Sequence, residues 1–151
     1  MIVDTDKGFA RILGTILSNA QESYVTTGIH EEEGCKSHGH FTVAQIGAVH
    51  EYGSPEHNIP QRSFIRDTHD LNLRMNRQWM KQVQERVLKG ELTQHQALTL
   101  MGEVGAKQMV SRINLGIPPG LKPATIKRKK SSKPLIDTGQ LKGSIGFKVH
   151  P

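Results

Sequence analysis

Apolar positions recur with a helical period over most of the chain, and that period sets the first reading of its elements. Phe9, Ile12, Leu13, Ile16 and Leu17 fall at helical spacing between about Asp6 and Asn19. Asp4, Thr5 and Asp6 stand where the positive end of a helix dipole favours acidic groups. This predicts an amphipathic helix packed on a sheet. Ser23 to Ile29 is β-branched and predicts a strand. Val43, Ile46, Ala48 and Val49 return to helical spacing across Phe41 to Tyr52, with Gly53 at the position of a C-terminal cap. Pro55 and Pro60 make Ser54 to Ser63 extended or turn-like. From Asp67 a long helix follows, with Leu71, Met75, Trp79, Val83 and Val87 stepping by four, Met80 and Leu88 widening the stripe, and Gly90 closing it.

Thr93 with Gln96 forms a capping box, and Leu92 with Ala97 a hydrophobic staple, so a second long helix opens there. Its first half presents Ala97, Leu100, Met101 and Val104; its second half presents Ala106, Met109, Val110 and Ile113. The two sets are offset by nine residues, and nine steps of about 100° leave half a turn. Either the helix kinks near Gly102 and Gly105, or Met109, Val110 and Ile113 meet a neighbouring subunit. Beyond the Gly116 to Gly120 turn, Pro123 opens a short helix through Lys129. Asp137 as N-cap, with Gln140 at the third helical position and Ile136 and Leu141 as staple, leads into a strand from Ser144 to Val149. The fold expected is α+β: a small antiparallel sheet, a packed N-terminal helix and a long helical pair. One domain spans 1–151 and carries a basic segment at 122–133.

Composition narrows the class. Hydrophobic residues are 35% and aromatic ones 5% of 151, enough for a thin core. A single Cys35 cannot form an internal disulfide, which points to a reducing cytosol. No apolar run reaches the length of a membrane span, and Met1 to Asp4 lacks a signal-peptide layout. The net charge of +6 is unevenly placed. Residues 1–75 hold ten acidic and six basic side chains, or −4; residues 76–151 hold four and fourteen, or +10. Six cations lie between Lys122 and Lys133 with no carboxylate, among them Lys127, Arg128, Lys129 and Lys130. Such a run is a solvated segment, a phosphate-backbone contact or a dock for an acidic protein ring. Without aromatic residues it offers no stacking platform for single strands.

Few constellations carry chemistry. His30, Cys35, His38 and His40 are zinc-type ligands, but they lack a second cysteine and paired-knuckle spacing. His50-Glu51 has its next histidine at His57, beyond a Gly and a Pro, so it is no His-Glu-x-x-His site. Gly102-Glu-Val-Gly105 lies mid-helix with no Gly-Lys-Ser/Thr after it. The sequence therefore predicts no catalytic residues, cofactor or metal.

Two segments carry a resemblance. Val43-Ala-Gln-Ile-Gly-Ala-Val-His-Glu-Tyr-Gly53 followed by Ile59-Pro-Gln-Arg-Ser-Phe-Ile-Arg66, and Leu121 to Lys129 followed by Lys133-Pro-Leu-Ile-Asp-Thr-Gly-Gln-Leu-Lys-Gly-Ser-Ile145, resemble the signatures of tailed-bacteriophage neck and tail-completion (virion morphogenesis) proteins. The resemblance implies a non-enzymatic α+β subunit without cofactors. It would assemble in the host cytoplasm into a homo-oligomeric ring in the virion neck, between head connector and tail. Connector, tail terminator and tail completion are the roles open to it, with other neck, connector and tail-tube proteins as partners and no membrane. By the same analogy Glu51, Tyr52, Gly53, Arg62 and Phe64 contribute to subunit contacts, and the Asp137-Thr138-Gly139 turn sets the closing strand. The basic cluster would face DNA in the channel or an acidic partner. Two rivals come from other classes: a basic nucleic-acid-binding protein acting as a monomer, and a metal-dependent hydrolase centred on the His30–His40 loop.

Overall fold

A computed structural model describes residues 7–18, 23–38, 40–129, 134–135 and 139–151. Strand β1 (Tyr24–Ile29) pairs antiparallel with the C-terminal strand β4 (Ile145–His150), in register from Tyr24 opposite His150 to Ile29 opposite Ile145. Side chains alternate across the sheet. Val25, Thr27 and Ile29 therefore share one face with Val149, Phe147 and Ile145, while Tyr24 and Thr26 share the other with His150 and Lys148.

Helix α5 (Gln94–Leu115) covers the first face, and its glycines set the distance. A Cβ at Gly102 would lie 2.4 Å from the Phe147 ring, and one at Gly105 would lie 2.9 Å from the Thr27 methyl. Both glycines are contact points that let helix and sheet close up. They continue one row, Leu98, Gly102, Gly105, Met109 and Ile113, at spacings of four, three, four and four. A second row lies about 100° around the helix and faces α4 (Arg66–Leu88). There Ala97 packs with Val83 and Val87, and Met101 lies against them. Gln108 exchanges two amide hydrogen bonds with Asn76, at 2.7 and 3.0 Å, and Arg112 pairs with Asp67 at 3.3 Å.

This corrects the expectation of opposed stripes. Met109 and Ile113 are buried within the chain and Val110 is half-buried, so the second half of α5 is used internally. A count of bulky residues overlooks glycines that belong to the row.

The turn from α4 to α5 follows its local signals. Gly90 takes φ +75°, Glu91 N–H reaches Arg86 O and Gly90 N–H reaches Val87 O, both at 2.9 Å. That is the paired C-terminal closure glycine favours. The Thr93–Gln96 capping box forms in both directions, and Leu92 packs on the Ala97 cluster.

Helix α1 (Lys7–Ser18) lies beside α4, while α5 makes the principal helix contact with the sheet. The apolar stripe of α1 faces outward: Ile12, Leu13, Ile16 and Leu17 are 39–66% exposed. The side of α4 that meets α5 carries Asn76, Val83 and Val87. Leu71 and Met75 fall beside it and stay exposed.

Within the His30–His40 loop lie a short helix, α2 (Glu31–Gly34), and β2 (Ser37–His38), which pairs with β3 (Phe41–Thr42) in the stretch expected to be helical. Gly34 allows α2 to settle on the following helix, since a Cβ there would stand 3.1 Å from Ala44 Cβ. Helix α3 (Val43–Tyr52) begins at a Thr42–Gln45 capping box and stops at Gly53. A 3-10 turn at Pro55–His57 and a Ser54–Ile59 bridge shape the proline segment. Helix α6 spans Pro123–Lys129. Helix α7 (Gln140–Gly143) leads directly into β4, and Gly139 at φ +81° precedes it in the N-cap place first given to Asp137. Asp137, Thr138 and Lys130 lie outside the described residues. The class is α+β, with a small antiparallel sheet and a long helical pair. No helix among the described residues is long and apolar enough to cross a membrane.

Candidate functional site

The densest polar arrangement lies where α3 ends and α4 begins. In α3 the row Val43, Gly47, Glu51 points inward at spacings of four, so Glu51 is carried under the next loop. Its carboxylate accepts the Ser63 hydroxyl and the Arg66 N–H (3.1 Å) at Oε1, and the Ile65 N–H (2.9 Å) at Oε2. Helix N-termini leave N–H groups without intrahelical partners. A carboxylate from a preceding helix answers two of those at the start of α4, and its charge is favourable at that end of the helix dipole. The Thr68 hydroxyl then donates to Phe64 O inside the first turn.

Around this carboxylate the chain folds back on itself. Arg62 N–H donates to His50 O (2.8 Å) and Gln61 Nε2 to Glu51 O (3.0 Å). Gly53 is required here, because it has φ +77° and a Cβ would come within 2.9 Å of Gln61 N. Arg62 is buried, and its guanidinium donates from Nε to Pro119 O (2.9 Å) and from Nη2 to Gly120 O (3.3 Å). Burial pulls its pKa below the usual arginine value. Phe64 is fully buried with Val43, Ile113, Ile117, Leu135 and Leu141, and Ile29, Ile65 and Ile145 lie against that cluster. Val43 and Phe64 of the first segment of the resemblance and Leu135 and Leu141 of the second thus share one core.

The proposed interface residues accordingly divide. Glu51, Arg62, Phe64, Met109 and Ile113 are interior, each engaged with its own chain. Treating the first three as contact residues is corrected by what they hold: a helix start, a turn and a core. Tyr52 is 69% exposed, with the Arg66 guanidinium 5.8 Å from its ring centre. Gly53 and Gly139 are backbone positions with positive φ.

The histidine–cysteine set is spread out. His30 Nε2 sits 2.8 Å from Thr26 Oγ1, on the sheet face away from α5. Cys35 and His40 are exposed, and His38 is in β2. No three His, Cys, Asp or Glu side chains among the described residues could hold a metal together. A second histidine at the Thr26 hydroxyl has no signal in the local sequence. His150 Nε2 lies 3.0 Å from the same Thr26 hydroxyl, and its ring stacks on Tyr24 with centroids 4.5 Å apart. Only the β1–β4 register brings residues 26 and 150 together, and no local spacing signals it.

Of the basic cluster, Lys127 is exposed near the end of α6, which Arg128 and Lys129 complete. The place of Glu51 in a helix was visible in the sequence, although the apolar stripe there, Val43, Ile46, Ala48 and Val49, is not the inward row. Its partners were not, because Ser63 and the start of α4 lie more than ten residues away. No family model, no curated protein and no solved structure matches the chain.

Proposed function

We propose that the chain is a non-enzymatic structural subunit of a tailed-bacteriophage neck, assembling as a homo-oligomeric ring that joins the head connector to the tail. Its station would be that of a connector, tail terminator or tail-completion protein. The observation that carries the reading is the union of the two signature segments in one core: Val43 and Phe64 from the first pack with Leu135 and Leu141 from the second. Residues of a shared motif that meet in space serve one structural unit. The polar atoms of that unit are spent on holding backbone, as a scaffold requires and a catalytic centre does not. Neighbouring neck, connector and tail-tube proteins are the partners this reading assigns. The basic segment around Lys127 would face passing DNA or an acidic ring.

The test is the solution mass of the purified chain at moderate salt, with negative-stain images, alone and mixed with connector and tail proteins. A discrete ring in either case is the expected result. A monomer that ignores virion proteins and binds DNA with steep salt dependence would replace this reading with that of a monomeric nucleic-acid-binding protein. Reversing Lys127, Arg128, Lys129 and Lys130 to Glu without effect on assembly or DNA passage would remove the channel role.

A further inference from the structure

We infer that His30 and His150 form a binding site for a late divalent transition metal of the class of zinc, with the Thr26 hydroxyl between them. The site lies on the sheet face away from α5 and does not depend on the ring reading.

On that face the β1–β4 register sets Tyr24 opposite His150, Thr26 opposite Lys148 and Gly28 opposite Gly146. His30 follows β1 in extended backbone, φ −85° and ψ 163°. Between His30 and Thr26 the face carries only the two glycines, and a Cβ on either would meet nothing within 4 Å. No side chain stands in the way of the His30 ring, and its Nε2 lies 2.8 Å from Thr26 Oγ1. His150 Nε2 lies 3.0 Å from the same oxygen. Stacking on Tyr24, with planes 13° from parallel, holds the His150 ring in place. Thr26, His30 and His150 are half-buried, so ions in solvent can reach them.

Two imidazole nitrogens therefore converge on one oxygen. A hydroxyl has a single proton to give, so only one of the two can accept from Thr26, and the other must carry a proton of its own. A metal ion takes a lone pair from each neutral imidazole and one from the hydroxyl oxygen, and water completes its shell. Imidazole suits zinc, copper and nickel, whereas calcium and magnesium take oxygen ligands. Coordination would bring the nitrogens to about 2.0–2.1 Å from the metal, a small adjustment for half-buried rings beside two glycines. The cation already on this face, Lys148, is paired with Glu32 at 3.3 Å, which offsets its repulsion. Two imidazoles and a hydroxyl are fewer protein ligands than the four of a structural zinc site, so the metal here is exchangeable. Bound, it ties the end of the last strand to the junction of β1 and α2.

Calorimetric titration of the untagged full chain with zinc chloride tests this. The expected result is one zinc per chain and a thermal midpoint that rises as zinc is added. His30→Ala and His150→Ala should each weaken binding at least about tenfold, while Cys35→Ser/His40→Ala should bind as the wild type does. Imidazole nitrogen NMR of the wild type reads the site without any variant: the Nε2 signals of His30 and His150, and not those of His38 or His40, should move on addition of zinc. Zinc that leaves both Nε2 signals unmoved overturns the inference. So does binding that survives in His150→Ala and is lost in Cys35→Ser/His40→Ala, which would assign the metal to Cys35 and its neighbours. A wild type that takes up no zinc overturns it as well, and the two histidines then serve only to hold Thr26.

Discussion

The core around Phe64 and the face formed by α1 and α4 have similar apolar content but opposite uses of it. Around Phe64 the apolar side chains are buried, and the charged ones that enter are fully occupied: Glu51 by three donors, Arg62 by two carbonyls. Along α1, a helix with an equally clear stripe leaves it in solvent. The first region holds parts of one chain together. The second leaves its apolar side chains largely exposed among the described residues. An amphipathic period thus states that a face will be covered without stating by what.

Variants can sharpen that contrast, the largest effects falling in the core. Phe64→Ala should cost about 3–5 kcal/mol, the range for emptying a fully buried aromatic site, read by urea denaturation. Glu51→Ala should cost about 3 kcal/mol, because the Ser63 hydroxyl and the N–H groups of Ile65 and Arg66 lose their acceptor in a buried place. Glu51→Gln, which keeps a carbonyl oxygen, should cost less. A Glu51→Ala variant as stable as the wild type would mean that this network holds nothing. Gly102→Ala should cost about 1–3 kcal/mol through overpacking against the Phe147 ring. If the contact is the cause, a Gly102→Ala/Phe147→Leu pair should depart from additivity by more than about 0.5 kcal/mol in thermal melts. At the small end, Leu17→Ser should leave monomer stability within about 0.5 kcal/mol. A large loss there would show that α1 is part of the core after all, and the contrast would collapse.

Local signals were legible where they are local in origin. The capping box at Thr93–Gln96, the glycine closure at Gly90 and the proline start of α6 involve groups within a few residues of each other. Near-neighbour geometry suffices to form them. The loop at 30–40 was harder, since α2 and its hairpin depend on Gly34 fitting against Ala44. The Glu51 network was half legible: the helix was, but its inward row and the recipients were not.

The sequence by itself determined the long helices, most of their ends and the α+β class, because hydrophobic period and capping chemistry act over one or two turns. Only the tertiary structure decided which faces meet. Gly102 and Gly105 turned two apparent stripes of α5 into adjoining rows, one on the sheet and one on α4. The β1–β4 register joined Thr26 to His150 across 124 residues. The exposed stripe of α1 belongs with these: its period is written in the chain, but its emptiness depends on where α4, α5 and the sheet have already spent their surfaces.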